Sequence, residues 1–285
     1  MSGTLYVVAT PIGNLEDLTF RALRTLREVD LIAAEDTRRT SKLLAHYEIR
    51  KSLISLREHN EARETPRLLE RLAAGESIAL VSDAGTPTIA DPGARLVRAA
   101  HERGLPVVPV PGPSAIVTAL SVSGLSGDQF VFMGFPPSSG IARKRWVTAI
   151  AAEPRITVFF EAPHRIQRTL GDLTPILVNK PIVLARELTK RFEQVVIQPI
   201  IGAHALAKRG EFTVIIGAAP DRATSQPVDA EQTMALYGRL TKFDQFDDDE
   251  AVAIVAAVTG HEVSEVKKSV KKSKILADRL RRSAP

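Results

Sequence analysis

Apolar and polar positions along this chain fall into two alternating rhythms. Short apolar runs rich in β-branched residues occur at 5–9, 31–34, 53–56, 78–81, 107–110, 130–135, 156–160, 182–185, 195–197 and 212–216. Between many of them the apolar spacing changes to three and four, the mark of one buried helix face. Leu15, Leu18, Ala22, Leu23 and Leu26 follow it, as do Leu68, Leu69 and Leu72 within 65–74, and Leu96, Val97 and Ala100 within 92–103. Strand and helix in alternation predict α/β layers with largely parallel strands. After residue 120 the runs crowd together, and the short connections favour a mixed or partly antiparallel second sheet. Beyond residue 229 the spacing is helical throughout, with helices expected over 230–240, 247–258 and 263–280.

Two breaks interrupt the pattern. One is Ser123-Gly124-Leu125-Ser126-Gly127-Asp128; the other runs over 218–229 with Pro220, Ser225 and Pro227, and reads as a linker. The expected organisation is an α/β domain over 1–122, a second α/β domain over 123–219 and a small helical domain over 230–285.

Composition adds limits rather than identity. With 285 residues, 44% hydrophobic and 25% charged, the chain can bury a core without staples of metal or disulfide. It has no cysteine, which excludes disulfides, thiol catalysis and thiolate metal sites. No apolar run reaches the ~18 residues of a membrane span, and no leader pattern opens the chain, so a cytoplasmic protein is expected. The net charge of +5 is unevenly spread. Residues 266–285 carry eight Lys or Arg against Asp278, a local +7 that leaves −2 for the rest. This basic end, with Lys267, Lys268, Lys271, Lys272 and Lys274, suggests a polyanion partner such as nucleic acid.

The candidate chemistry sits where strands give way to helices. "TPIGN" (10–14), "SDAGTPTIADPG" (82–93) and "PGPSA" (111–115) each follow an apolar run. In open α/β sheets ligands bind at the carboxyl ends of strands, and Gly- and Pro-rich turns expose backbone groups there. Asp83 is the evident side-chain anchor. None of these turns is a G-x-G-x-x-G dinucleotide or G-x-x-x-x-G-K-[ST] phosphate motif. In "AEDTRRTSK" (34–42), Glu35 and Asp36 end a strand and Arg38 and Arg39 follow. Guanidinium groups beside a carboxylate suit a phosphate-bearing substrate. The six histidines show no H-x-x-x-H spacing and no G-x-S-x-G elbow occurs, so a His-based metal site and an α/β-hydrolase gain no support.

Taken in order, "LYVVATPIGNLEDLTFRALRTL", "AEDTRRTSKLL", "LVSDAGTPTIADPGARLV", "VPVPGPSA", "FFEAPHRI" and "ARELTKRFEQ" resemble the tetrapyrrole methylase family of S-adenosylmethionine-dependent methyltransferases. The closer resemblance is to the branch of that family acting on small-subunit ribosomal RNA. The wider family carries G-x-G-P-G-D at the first turn, where this chain has Thr10-Pro11-Ile12-Gly13-Asn14. That departure disfavours a porphyrin or corrin substrate.

The resemblance implies two α/β domains with S-adenosylmethionine in a cleft between them, a homodimer, and 2′-O-methylation of a cytidine in 16S ribosomal RNA, free or in the 30S particle. It implies that Pro11, Ile12, Asp83, Ala84, Gly85, Thr86, Ile89, Ser114 and Ala115 line the cofactor site from the first domain. Phe160, Glu161, Ala162 and Pro163 would do so from the second. A ribose hydroxyl needs a base or a cationic stabiliser. The candidates are Glu35, Asp36, Arg38, Glu187 and Lys190, with Arg38 and Arg39 also facing RNA. The chemistry requires no metal. A small-molecule tetrapyrrole methylase and a non-catalytic RNA-binding assembly factor remain as rival readings.

Overall fold

The computed structural model describes residues 2–177, 180–198, 210–218, 230–241, 246–259 and 261–282. The linker expected over 218–229 lies, from 219 onward, outside the described residues. By their contacts the described residues form two units. One comprises residues 1–121 with 187–193, and the other residues 122–186 with 194–285.

The first unit holds a five-stranded sheet: β1 (Leu5–Val8), β2 (Leu31–Ala34), β3 (Ser52–Ser55), β4 (Ile78–Val81) and β5 (Val107–Val110). The order is β3-β2-β4-β1-β5 and every pairing is parallel. All four residues of β2 and of β4 are buried, as expected of strands covered on both faces. Leu31, Ala33, Ile78 and Leu80 pack with Leu68, Leu72 and Leu96, from helices α3 (Glu61–Ala73) and α4 (Ala94–Glu102). Ile32, Ala34, Ala79 and Val81 pack with Ala22, Leu26 and Leu44, from α1 (Phe20–Glu28) and α2 (Thr37–His46). The period of two thus sends alternate residues to opposite helix layers. The connections leaving β1 and β4 therefore lie on opposite faces, and these neighbours define a switch point at their carboxyl ends.

Local chemistry sets the boundaries. The helical face expected from Leu15 to Leu26 is split. A 3₁₀ turn over Leu15–Asp17 comes first, and Thr19 then caps α1 by accepting a hydrogen bond from Ala22 N at 3.1 Å. Helix α3 begins four residues before the expected 65, because Pro66 sits inside it without ending it. The Glu61 carboxylate at its start also accepts from Gly93 N and Arg95 N, closing the N-terminus of α4.

The second unit is entered through α5 (Ala115–Val122), whose last residue belongs to it. Its strands are β6 (Phe130–Phe132), β7 (Ile156–Glu161), β8 (Ile182–Arg186), β9 (Gln194–Gln198) and β10 (Phe212–Ile216), in the order β6-β7-β10-β8-β9. Among the described strands only β6 and β7 pair in parallel, so the sheet is mixed as the crowded runs suggested. Phe159, Leu184, Phe212 and Val214 pack with α6 (Gly140–Ala152) and α7 (Ile166–Leu173).

Helices α8 (Ala230–Thr241), α9 (Asp248–Thr259) and α10 (Val263–Arg282) complete the described chain. The sequence pattern set them apart as a third domain. In the structure Leu236, Leu240, Ile254, Val255 and Val266 share one hydrophobic cluster with Trp146, Val147 and Ile150 of α6. Lys144 of α6 also pairs with Glu250 of α9 at 2.7 Å.

Candidate active site

The carboxyl ends of β1, β2, β4 and β5 gather most of the expected residues into one rim. Thr10 and Gly85 face each other in an isolated antiparallel bridge, N–H to carbonyl at 2.8 and 3.0 Å. The Thr10 hydroxyl donates to Ser82 O at 3.2 Å. Thr86 Oγ1 donates to Pro113 O at 3.3 Å, tying the β4 turn to the β5 turn. Gly85 has φ +78, and a Cβ there would lie 3.4 Å from Ile12 Cγ2. A left-handed residue in that space is least costly as glycine. Pro11, Ile12 and Gly85 are buried, Thr86, Ser114 and Ala115 half-buried, and Ala84 and Ile89 exposed.

Beside this turn lies a cluster of carboxylates. Asp83 Oδ1 accepts from Asp36 N at 2.9 Å and Asp83 Oδ2 lies 3.4 Å from Arg39. Asp83 N donates to Glu35 Oε2 at 3.3 Å. Burial raises the Glu35 carboxyl above its ordinary pKa, partly offset by that N–H and reinforced by the charge of Asp83. Asp91 is the member that sequence reasoning missed. Burial, and then the charge of Glu35, push its carboxyl up to about 6 against a hydrogen bond from Ser82. The one signal was its place in Asp91-Pro92-Gly93 ahead of a helix, and that says nothing of burial beside Glu35.

Asp36 behaves differently from Glu35. It caps α2 by accepting from Arg38 N at 2.9 Å, and its carboxylate also takes Arg38 Nε at 3.0 Å and Nη2 at 2.6 Å. The Arg38 guanidinium holds the Asp36 carboxyl well below the usual range, which makes it a poor proton acceptor. Arg57, also unanticipated, donates to Glu35 O at 3.1 Å and lies 3.8 Å from Asp36.

Glu187 and Lys190 belong to the loop 187–193, which groups with the first unit. Lys190 Nζ bonds Glu187 Oε1 at 3.0 Å. Between them Thr189, with φ +65, accepts at Oγ1 from Asn14 N at 3.0 Å. A β-branched residue in the left-handed region is strained and must be held by its surroundings. A Cβ on Gly13 would come within 2.4 Å of Lys190 Cγ, so the first turn is fitted to this loop.

In the second unit, Phe160, Glu161, Ala162 and Pro163 close β7. Glu161 is 2% exposed and points inward. It accepts from Thr169 Oγ1 and Ala162 N and pairs with Arg165 at 3.3 Å. These contacts brace this end of the strand. On α10, Lys267 pairs with Asp249 and Lys274 with Asp248, each at 2.8 Å. Lys268, Lys271 and Lys272 are exposed and make no ion pair among the described residues. Among the described residues, no group of three or more His, Cys, Asp or Glu is arranged to hold a metal ion, and no helix is long and apolar enough to cross a membrane.

The architecture is a parallel sheet with glycines at its switch point, followed by a mixed sheet. The family model for tetrapyrrole (corrin/porphyrin) methylases matches residues 4–201. The chain belongs to this family. It is 46% identical over 265 residues to ribosomal RNA small subunit methyltransferase I of Xylella fastidiosa, covering 90% of this chain and 95% of that protein. It is 48% identical over 231 residues to the protein of the same name from Neisseria meningitidis serogroup B, covering 78% of each. Among solved structures, a diphthine synthase aligns with TM-score 0.60 at 16% identity, covering 75% of this chain and 90% of that one. Uroporphyrin-III-C-methyltransferase from Thermus thermophilus aligns with TM-score 0.53 at 21% identity, covering 75% and 94%. These two likenesses concern the fold.

Proposed function

We propose that this protein transfers a methyl group from S-adenosylmethionine to the ribose 2′-oxygen of a cytidine in 16S ribosomal RNA of the small subunit. The observation that carries the reading is 46% identity, over nine-tenths of the chain, to an enzyme named for methylating that RNA. The rim suits the donor. Glu35, Asp83 and Asp91 place carboxyl groups beside exposed backbone groups, which suits a sulfonium and an ammonium. The cofactor supplies an electrophilic methyl group.

The residues of the chain do the rest. The turns at Thr10–Asn14 and Ser82–Thr86 orient the reacting groups, the main requirement of an in-line displacement. Glu35, with its raised pKa, accepts the ribose hydroxyl proton. Arg38 is 81% exposed at its side chain and presents a guanidinium face to a phosphate, as do the unpaired lysines of α10. The protein acts in the cytoplasm as a homodimer, the association that the family resemblance implies; sedimentation measures it.

The test is transfer of labelled methyl from S-adenosylmethionine to small-subunit particles lacking the modification, with mapping of the labelled nucleotide. Label on a cytidine 2′-oxygen sustains the reading. Label on an added tetrapyrrole, or cofactor binding without transfer to particles, would replace it with one of the rivals.

A further inference from the structure

The chain leaves β6 through Gly134, in the left-handed region at φ +62, and runs through Phe135-Pro136-Pro137. Phe135 is 55% exposed. Its inner side meets Phe160 at a ring-centroid distance of 5.4 Å, and Phe160 in turn packs edge-on against Phe132 at 4.9 Å. The outer side of Phe135 faces solvent.

An exposed ring on a loop is ordinary; the bracing of this loop is not. Phe160 N donates to Gly134 O at 2.9 Å. Arg143 donates to Pro137 O at 2.9 Å, and Arg165 donates to Pro136 O and Pro137 O. Both guanidiniums are themselves fixed. Arg143 is buried and bonds Asp172 at 2.7 Å and Thr169 Oγ1 at 3.0 Å. Arg165 pairs with buried Glu161, which also takes the Thr169 hydroxyl. A network of two arginines and two acids, with Arg143 and Glu161 buried and Arg165 and Asp172 half-buried, thus holds in place the backbone of a loop whose most prominent side chain is an exposed phenyl ring. Burying charges is costly and is repaid only by near-complete pairing. Packing the interior would not require the ring to stay outside. Holding an aromatic face ready for a planar partner would, because a pre-set ring loses little entropy on stacking.

We propose that Phe135, backed by Phe160, is a stacking platform for an unpaired nucleobase of the RNA substrate. Proteins that read single-stranded RNA stack splayed bases on aromatic rings and hold the backbone with cations. Arg168 lies one turn beyond Arg165 on α7, is exposed, and has no ion pair among the described residues, which suits a neighbouring phosphate. The proposal rests on the RNA reading given above and adds to it a recognition element in the second unit.

The experiment compares Phe135→Leu and Phe135→Tyr with the unaltered protein in binding to small-subunit particles that lack the modification. Binding of S-adenosylmethionine, thermal melting and sedimentation are measured alongside. The ring is exposed, so both variants should fold. Loss of one base stack corresponds to about a 10-fold or greater loss of particle affinity in Phe135→Leu. Phe135→Tyr should restore it, and cofactor affinity should not move. Unchanged particle affinity in Phe135→Leu overturns the proposal. So does a fall in cofactor affinity, which would give the ring to the adenine, or a change in oligomeric state, which would give it to a second copy. Methyl transfer by the unaltered protein is a separate arm. Its absence would defeat the functional reading and leave the binding comparison valid.

Discussion

Asp36 donates its backbone N–H to the carboxylate of Asp83 at 2.9 Å, joining the turns that end two neighbouring strands. Asp83 therefore has two tasks, fixing the start of α2 and presenting negative charge to the rim. Asp83→Ala should weaken S-adenosylmethionine binding roughly 10- to 150-fold, the equivalent of one charge-assisted hydrogen bond at about 1.5–3 kcal/mol. Asp83→Asn keeps an acceptor for Asp36 N and should lose less. Calorimetric titration checks both; equal losses would show that the charge, and not the hydrogen bond to Asp36, dominates.

Asp91 links the site to stability. Burial, and then the charge of Glu35, push its carboxyl up to about 6 from an ordinary 3.8. Between those values the folded state holds the extra proton, so stability falls as pH rises through the window. Asp91→Asn removes the half-buried charge. Relative to the unaltered protein, it should gain about 2 kcal/mol as pH rises from 4 to 7, then plateau. Denaturant melts at a series of pH values measure the difference. A pH-independent difference would mean that Asp91 is not the titrating group.

Glu35→Gln tests the proton acceptor. Replacement should lower methyl transfer by about 10²- to 10⁴-fold with cofactor affinity little changed. Activity of the unaltered protein should decline as pH drops through the raised Glu35 pKa, because the protonated carboxyl cannot accept the ribose proton. The variant should lose that acid limb. A surviving limb would assign it to another group.

The lysines of α10 divide into two sets. Changing Lys268, Lys271 and Lys272 to Ala should weaken RNA binding and flatten its salt dependence by about 0.7 per lost phosphate contact on a single strand. Changing Lys267 and Lys274 should chiefly loosen the packing of α9 and α10, since their partners are Asp249 and Asp248. RNA titrations at several salt concentrations, with thermal melts of both variants, separate the effects.

Truncation before Ala230 should also destabilise the remainder. Trp146, Val147 and Ile150 share their cluster with residues of α8, α9 and α10. Exposing this face should lower the melting temperature and promote aggregation, by the cost of about 1.5–3 kcal/mol per large apolar side chain returned to water. A truncated protein that melts as the full chain does would show that the remainder does not depend on α8–α10.

Much of this architecture was legible in the chain itself. A β-branched run followed by Thr10-Pro11-Ile12-Gly13, by Ser82-Asp83-Ala84-Gly85 or by Gly112-Pro113-Ser114 specifies a strand that stops and a turn that exposes backbone. Those preferences act between residues adjacent in sequence. Helix faces were legible for the same reason, since burial repeats with the helix period. What the sequence could not carry was the partner of each polar group. Asp36 meets Asp83 across 47 positions, and Lys144 meets Glu250 across 106. The proton affinity of Asp91, the occupation of Lys267 and Lys274, the inward turn of Glu161 and the exposure of Phe135 all depend on such distant meetings. Electrostatic environment and desolvation are set by everything within a few ångströms, and only the tertiary fold decides what that is.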